Sequence, residues 1–363
     1  MIEIDGNFGE GGGQIVRTAL SLSALTGHPF KIYDIRKGRE DPGLKNQHLH
    51  GIKALKEICN AKTDGAELGS ENLTFIPSKL ISKNLNIDIG TAGSITLLLQ
   101  SILLPLAFAD KKLKIAISGG TDTKWSPSFD YLNNVVLPHF KKFADTEIIM
   151  LNRGYYPKGH GKVELRINPK LHINNYGNFE SFAENLRKDI KPITLLEQGS
   201  LLAIKGISHA SKELQNAKVS ERQAQSASSF LKSEFKCPID IKSEYVDTES
   251  IGSGVTLWAI FTKTNEIDYN NPIIIGADSL GERGKKSEDV GRETALDLEN
   301  EIKSGCAVDK HMADMIFPLM ALLKSSSIKT SNITNHCKSN IYTIEKFFGK
   351  IFSVDEAENT INR

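Results

Sequence analysis

Apolar positions along the chain recur first at helical and then at strand spacing, and the same succession comes back three times. In the first copy, Ile15, Val16, Ala19, Leu20 and Leu22 predict a helix over Gln14 to Thr26. Phe30 to Ile35 follows as a strand and Asn46 to Cys59 as a second helix, with the polar loop Arg36-Lys37-Gly38-Arg39-Glu40-Asp41-Pro42-Gly43 between them. In the second copy, Ser94 to Ala109 reads as a helix, Leu113 to Ile117 as a strand and Phe129 to Phe143 as a helix, again around a Gly- and Pro-containing loop from Ser118 to Pro127. In the third, Val308 to Lys324 is expected to be helical, Ser327 to Thr330 a short strand and Ser339 to Phe348 helical, which leaves His336 in the corresponding loop. A repeat of this kind places the three loops at one end of the molecule.

Residues 189–302 break the pattern. They carry a strand at Leu201 to Gly206, a helix at Ser220 to Lys232, strands at Asp240 to Val246, Val255 to Thr262 and Ile273 to Gly276, and a charged helix at Ser287 to Ile302. The expected fold class is therefore mixed α/β (α+β): a large domain of three βα repeats over 1–188 and 303–363, with a small α/β domain inserted over 189–302. The loops Thr248 to Gly254 and Leu280 to Lys286 have the residues of ordinary surface turns.

A chain of 363 residues and 40.0 kDa exceeds the usual single domain, consistent with an insertion. No apolar run reaches the roughly 18 to 20 residues of a membrane span, and the start Met1-Ile2-Glu3-Ile4-Asp5 has no secretory pattern, so no membrane partner and a cytoplasmic location are the expectations. Cys59, Cys237, Cys306 and Cys337 show no CxxC spacing and read as free thiols. The formal net charge of +1 restricts any nucleic acid partner to a local patch. Lys212, Lys218, Lys232 and Lys242 of the insert read as a solvated face, with contact to an RNA backbone as the alternative.

The chemistry gathers elsewhere. Glycines 9, 11, 12 and 13 bare the backbone just before a helix, where successive N–H groups and the helix dipole suit phosphate oxygens. The spacing is neither of the two common nucleotide-binding glycine patterns, and a glycine turn packed tightly against a neighbour is the structural alternative. Arg17 lies one turn into that helix, placed for a bidentate grip on phosphate or for a surface salt bridge. Arg36 and Arg39, followed by Gln47 and His48, form a second polar cluster; paired guanidinium forks suit a terminal phosphate, and a solvated loop is the competing reading. Glu10 is the carboxylate within the glycine loop and supplies the hard oxygen that a Mg²⁺ ion takes. Asp314 is placed to orient a ring or a metal, or equally is a surface Asp on an amphipathic helix. His336 beside such a loop suggests nucleotidyl transfer, although a lone His is more often a surface or hydrogen-bonded core residue.

With these residues assembled, the chain resembles the RNA 3′-terminal phosphate cyclases over nearly its whole length. The resemblance rests on Asp5-Gly6 with Gly9-Glu10-Gly11-Gly12-Gly13-Gln14-Ile15-Val16-Arg17, on Ile35-Arg36-Lys37-Gly38-Arg39 with Pro42-Gly43-Leu44 and Gln47-His48, and on Gly90-Thr91-Ala92-Gly93-Ser94 with Gln100. It continues through Ser118-Gly119-Gly120-Thr121-Asp122, Gly154-Tyr155-Tyr156-Pro157, Leu280-Gly281-Glu282-Arg283-Gly284, and Ala313-Asp314 with Met320-Ala321-Leu322. The resemblance implies a three-repeat fold shared in outline with enolpyruvyl transferases. It also implies ATP-dependent conversion of an RNA 3′-phosphate end to a 2′,3′-cyclic phosphate in three steps: attack of a histidine on the α-phosphate of ATP, passage of AMP to the RNA phosphate, and displacement of AMP by the 2′-hydroxyl. By resemblance His336 is the nucleophile, and Glu10 holds Mg²⁺ or Mn²⁺. The same resemblance implies that Gln100, Pro127, His311, Asp314 and Met315 lie on the ATP pocket with His336, and that Arg17, Arg36, Arg39 and Gln47 lie near the phosphates or the RNA end.

The chain departs from the family pattern in places. Met315 follows Asp314 where the family usually has Gln, and His311 stands where an aromatic residue often packs near the base, so purine selectivity is less determined than adenylylation. His160 interrupts what is commonly a glycine run and is read as solvent-facing. A cyclase-like RNA processing or assembly factor without catalysis is the alternative from another class; such relatives lack the histidine that His336 supplies. An enolpyruvyl transferase shares the repeats, but no segment here matches its site. RNA with a 3′-phosphate end and ATP are the expected partners, and homodimer formation is left open.

Overall fold

The computed structural model describes residues 1–264 and 266–363. Strand β1 (Ile2–Asp5) pairs in parallel with β2 (Phe30–Tyr33), burying Ile4, Phe30 and Ile32 on one face, and α1 (Gly13–Thr26) makes the crossover that parallel pairing requires. After α2 (Asn46–Cys59), the hairpin β3 (Lys62–Asp64) and β4 (Leu73–Ile76) completes a sheet of order β1-β2-β4-β3. The second repeat follows the same plan. It comprises β5 (Leu85–Asp88), α3 (Ile95–Leu106), β6 (Leu113–Gly119), the short α4 (Phe129–Tyr131), β7 (Ala144–Asn152) and β8 (Gly161–Pro169), in the order β5-β6-β8-β7.

After α5 (Phe179–Asp189), the chain lays down β9 (Thr194–Leu195) and leaves for the insert. There β10 (Ser200–Ser211), α6 (Val219–Glu234), β11 (Ile239–Val246), β12 (Ser253–Thr262), β13 (Ile273–Leu280) and α7 (Ser287–Lys303) form a sheet of order β11-β10-β12-β13 on which both helices pack. The chain returns through α8 (Met312–Leu322), β14 (Ser327–Lys329), α9 (Asn335–Phe348), β15 (Ser353–Asp355) and β16 (Thr360–Asn362). The third sheet, β15-β16-β14-β9, repeats the topology of the first two, with β9 parallel to β14. Thus β9, although it lies within 189–302, hydrogen-bonds to the third repeat.

Every residue of α1 except Arg17 is buried, as expected of a helix packed against α2, α3 and α9. Arg17 is therefore the one partly open position on the central helix. Truncating a fully buried core leucine such as Leu20 costs about 2–5 kcal/mol in a packing of this kind.

Three helices differ from the periodicity. The helix expected over Phe129 to Phe143 loosens after α4 into a π-helical turn at Leu132–Val136 and a 3-10 turn at Leu137–Phe140, where Pro138 has no N–H to continue an α-helix. The helix expected from Val308 begins at Met312, because the Asp309 carboxylate caps the amides of His311 (2.9 Å) and Met312 (2.8 Å). The last helix begins at Asn335, earlier than expected. Thr334 accepts the Cys337 amide at its N-terminus, so His336 stands in the first turn of α9 and not in a loop.

The insert is fastened to the second repeat by a buried charged cluster. Arg153 donates to Asp130 (2.6 Å), to Asp122 (3.1 Å) and to Glu244 of β11 (2.9 Å). Beside it, Tyr155 Oη and His209 Nδ1 of β10 lie 2.6 Å apart.

Candidate active site

One cleft of about 380 Å³ is lined by residues of all three repeats and of the insert. Of the three inter-helix loops only the second, through Trp125, Ser126 and Pro127, lines it directly, and the third repeat contributes His336 from the first turn of α9. The glycine loop enters through two left-handed positions, Gly9 and Gly11, and ends on Gly12, which gives α1 no side-chain cap. First-turn amides of α1 are thus left for an anion. A Cβ at Gly12 would lie 3.8 Å from both Arg39 Nη2 and His336 Cε1, so this backbone faces the polar groups of the site. A Cβ at Gly13 would come within 2.3 Å of His48 Nε2, a contact only glycine avoids.

A chain of hydrogen bonds orients His336. Gln14 Nε2 donates to Asp314 Oδ2 (2.5 Å), which turns the amide oxygen toward His336 Nδ1 at 2.7 Å. An amide oxygen only accepts, so Nδ1 carries the ring proton and Nε2 keeps its lone pair. Asn340 donates to the Asp314 carbonyl and accepts from Thr18 Oγ1 (2.6 Å), holding α8, α9 and α1 in register under the ring.

His336 Nε2 lies 3.4 Å from Glu10 Oε2, which in turn accepts from Arg39 Nη2 at 3.2 Å. Partial burial, with Arg17, Arg39 and His311 nearby, lowers the His336 pKa against the opposing pull of Glu10, so the ring is neutral near pH 7. Burial pushes the Asp314 carboxyl up to about 7, against the attraction of Arg17. Burial likewise brings Arg17 down to about 10, with Asp314 opposing. Arg17 Nε donates to Gln100 Oε1 at 2.9 Å, which aims the guanidinium along the cleft.

Gln100, Pro127, His311, Asp314, Met315 and His336 all line this cleft, together with Arg17. Pro127 is held against α3 by Thr96 Oγ1, which donates to its carbonyl at 2.8 Å. Glu10 and Arg39 form the rim beside His336. Arg36 sits behind Arg39 in a left-handed backbone conformation, Nη2 donating to the Asp41 carbonyl at 3.1 Å; its pKa is lowered by burial and then by Arg39. Gln47 lies apart from the cleft, in an adjoining groove with Gly93 and Ser94. His160 is exposed, 3.8 Å from Glu249.

Several lining residues had no sequence signal. Tyr131 donates to Asp309 (2.6 Å), and Asp278 of β13 accepts the Ser128 amide (2.7 Å); both line the cleft. Asp278 reaches it from the insert, which no local spacing foretells. Gln14 was visible as the residue closing the glycine loop, but its role depends on two partners remote in sequence.

A divalent cation fits at Glu10. Mg²⁺ takes one or two carboxylates and completes its shell with phosphates and water, and Glu10, whose Oε2 accepts from Arg39, still offers Oε1 beside the glycine-loop backbone. Asp122, Asp130 and His209 also cluster closely enough to hold a metal, but the Arg153 guanidinium already bonds both carboxylates. No helix among the described residues is long and apolar enough to cross a membrane.

A profile of the RNA 3′-terminal phosphate cyclase family matches residues 8–354. An RNA 3′-terminal phosphate cyclase of Pyrococcus abyssi is 42% identical over 356 residues, covering 98% of this chain and 95% of its own. Proteins of the same name from Methanosarcina mazei (41% over 361 residues, 99% of this chain and 98% of theirs) and Archaeoglobus fulgidus (41% over 355 residues, 97% of each) are similar over the same extent. Matching from the glycine loop past the His336 helix, at this identity and coverage, the chain belongs to the RNA 3′-terminal phosphate cyclase family.

Proposed function

We propose that this protein is an ATP-dependent RNA 3′-terminal phosphate cyclase working through a covalent His336–AMP adduct. The observation that carries the reading is the Asp314–Gln14–His336 chain, which leaves a neutral imidazole with its unprotonated Nε2 on the side of the glycine loop, 3.4 Å from Glu10 Oε2. In the first step Nε2 attacks the α-phosphorus of ATP, an N–P bond forms, and the bond to pyrophosphate breaks. Arg17 and the first-turn amides of α1 bear the charge growing on the phosphoryl oxygens. In the second, an oxygen of the RNA 3′-phosphate attacks the adenylyl phosphorus and the imidazole leaves; Gln14 keeps the Nδ1 proton in place throughout. In the third, the vicinal 2′-hydroxyl attacks the activated 3′-phosphate, losing its proton, and AMP departs with the 2′,3′-cyclic ester left behind.

A Mg²⁺ or Mn²⁺ ion held by Glu10 supplies charge neutralisation on the phosphates. Gln100, Pro127, His311, Asp314 and Met315 form the nucleotide pocket; Arg36, Arg39 and Gln47 receive the RNA end with Arg17. The three sheets with α1–α5, α8 and α9 form the catalytic domain, with β9 on its side of the boundary and the insert beginning at β10. Action in the cytoplasm suits an RNA-end-modifying enzyme. The test is conversion of a 5′-labelled RNA ending in 3′-phosphate to a phosphatase-resistant product that requires ATP and a divalent metal. A cyclase-like protein that binds RNA without catalysis leaves that substrate phosphatase-sensitive.

A further inference from the structure

A second groove, about 770 Å³, runs between the second repeat and the insert and shares Leu97 and Trp125 with the nucleotide cleft. Gln47 lines it, within 3.8 Å of where a Gly93 Cβ would stand, and the exposed Arg283 of the insert lines it as well. Its rims carry three large side chains that the fold leaves in solvent: Trp125 at 95% exposure, Tyr156 at 77% and Ile251 at 63%. A bulky residue is rarely left so open without a partner, and here three surround one groove.

The Trp125 backbone is also strained, since its φ of 60° is a left-handed conformation that a bulky residue avoids. The turn is pinned around it by Thr123 Oγ1 and Ser126 Oγ at 2.9 Å and by Ser126 Oγ donating to the Thr123 carbonyl at 2.8 Å. These bonds hold an indole in water that contributes nothing to the core. Beneath the rims the floor is tight, since Gly252 packs so closely on the Tyr155 ring that a Cβ would lie 2.3 Å away. Lys124 reaches across to Glu282 of the insert at 2.9 Å.

We propose that this groove seats the unpaired nucleotides preceding the RNA 3′-phosphate, with bases stacked on Trp125 and Tyr156. The inference deepens the cyclase reading and rests on it for the position of the 3′ end. Exposed aromatic faces beside cationic side chains are how proteins hold single strands without reading sequence, because every base offers a flat face. Bases inside a duplex are stacked on one another and present no face to such a rim. Continuity with the cleft at Trp125 and Leu97 puts the strand's end beside His336, and Arg283 lies where the backbone leaves. The insert thereby forms the outer wall of the track.

The test is binding, measured without ATP by fluorescence anisotropy of a short single-stranded oligoribonucleotide carrying a 3′-phosphate. Trp125→Ala and Tyr156→Ala are each expected to weaken binding by about 5- to 150-fold, the range for loss of one stacked base. Tyr156→Phe keeps the face and is expected to bind within about twofold of wild type. Unchanged affinity in both alanine variants overturns the proposal, and so does a loss in Tyr156→Phe equal to that in Tyr156→Ala, which points to the hydroxyl. Labelling of the wild type by ATP alone is read in parallel. If no label forms but binding depends on Trp125 and Tyr156, the adenylylation reading fails and the groove stands.

Discussion

Gln14 Oε1 and His336 Nδ1, 322 residues apart in sequence, lie 2.7 Å from one another. The contact joins the start of α1 to the first turn of α9. Because Gln14 also donates to Asp314, its amide has one orientation, and that orientation sets the imidazole tautomer. Replacing Gln14 with Leu keeps volume and removes both bonds. His336 adenylylation is expected to fall by about 10- to 100-fold, in line with about 1.5–3 kcal/mol for hydrogen bonds to charged or charge-developing groups. Circular dichroism and single-turnover labelling on the same preparation separate this loss from misfolding.

The Asp314 carboxyl, held at about 7, puts a titration into the same relay. Below that pH Asp314 is protonated and no longer demands a donor from Gln14, so the amide is free to turn and the tautomer is no longer imposed. Adenylylation is therefore expected to rise as pH increases through about 7. Asp314→Asn still accepts from Gln14 but does not titrate, so its pH–rate profile loses this limb and keeps only the one at lower pH from His336, whose own pKa is lowered. An unchanged limb near neutrality in the variant refutes the relay.

The same shift has a consequence for stability. A carboxyl whose folded pKa is raised to about 7 from an unfolded value near 4 binds more protons folded than unfolded between those values. Its contribution therefore falls as pH rises through that window. Wild type minus Asp314→Asn stability, from urea midpoints, is expected to decline between about pH 4 and 7.

Glu10 touches His336 and Arg39 at the rim of the cleft. Glu10→Gln is expected to raise the metal concentration for half-maximal labelling by about tenfold or more, with little change in urea stability, because the residue is partly exposed. A metal titration of the labelling rate decides it.

Arg153 is buried among Asp122, Asp130 and Glu244 and leaves two or three carboxylates facing one another if removed. Arg153→Met is expected to cost about 3–5 kcal/mol, the penalty for an uncompensated buried charge, and to loosen the insert from the second repeat. The urea midpoint measures the first effect, and amide hydrogen exchange at β10 and β11 measures the second.

The repeats were legible because α1, α3 and α8 carry dense apolar runs that their deep burial requires. The hairpins were not: β3 and β15 are almost wholly exposed, so no alternation marks them, and β9 has only two residues. Polar Asn335 and Lys338 disguised the first turn of α9, and with it the helical setting of His336. The candidate residues from the glycine loop and the third repeat were legible as chemical types at suggestive positions. Their relations were not, since the Asp314–Gln14–His336 chain and the approach of Asp278 from the insert are made by topology, not by spacing.

The central claim is tested most directly by incubating the protein with ATP labelled at the α-phosphate and a divalent metal, then denaturing it and looking for bound label. An acid-labile, alkali-stable adduct in wild type that is missing from folded His336→Ala is the expected result. No adduct in folded wild type across several nucleotides and metals, or an adduct that survives in His336→Ala, contradicts the account.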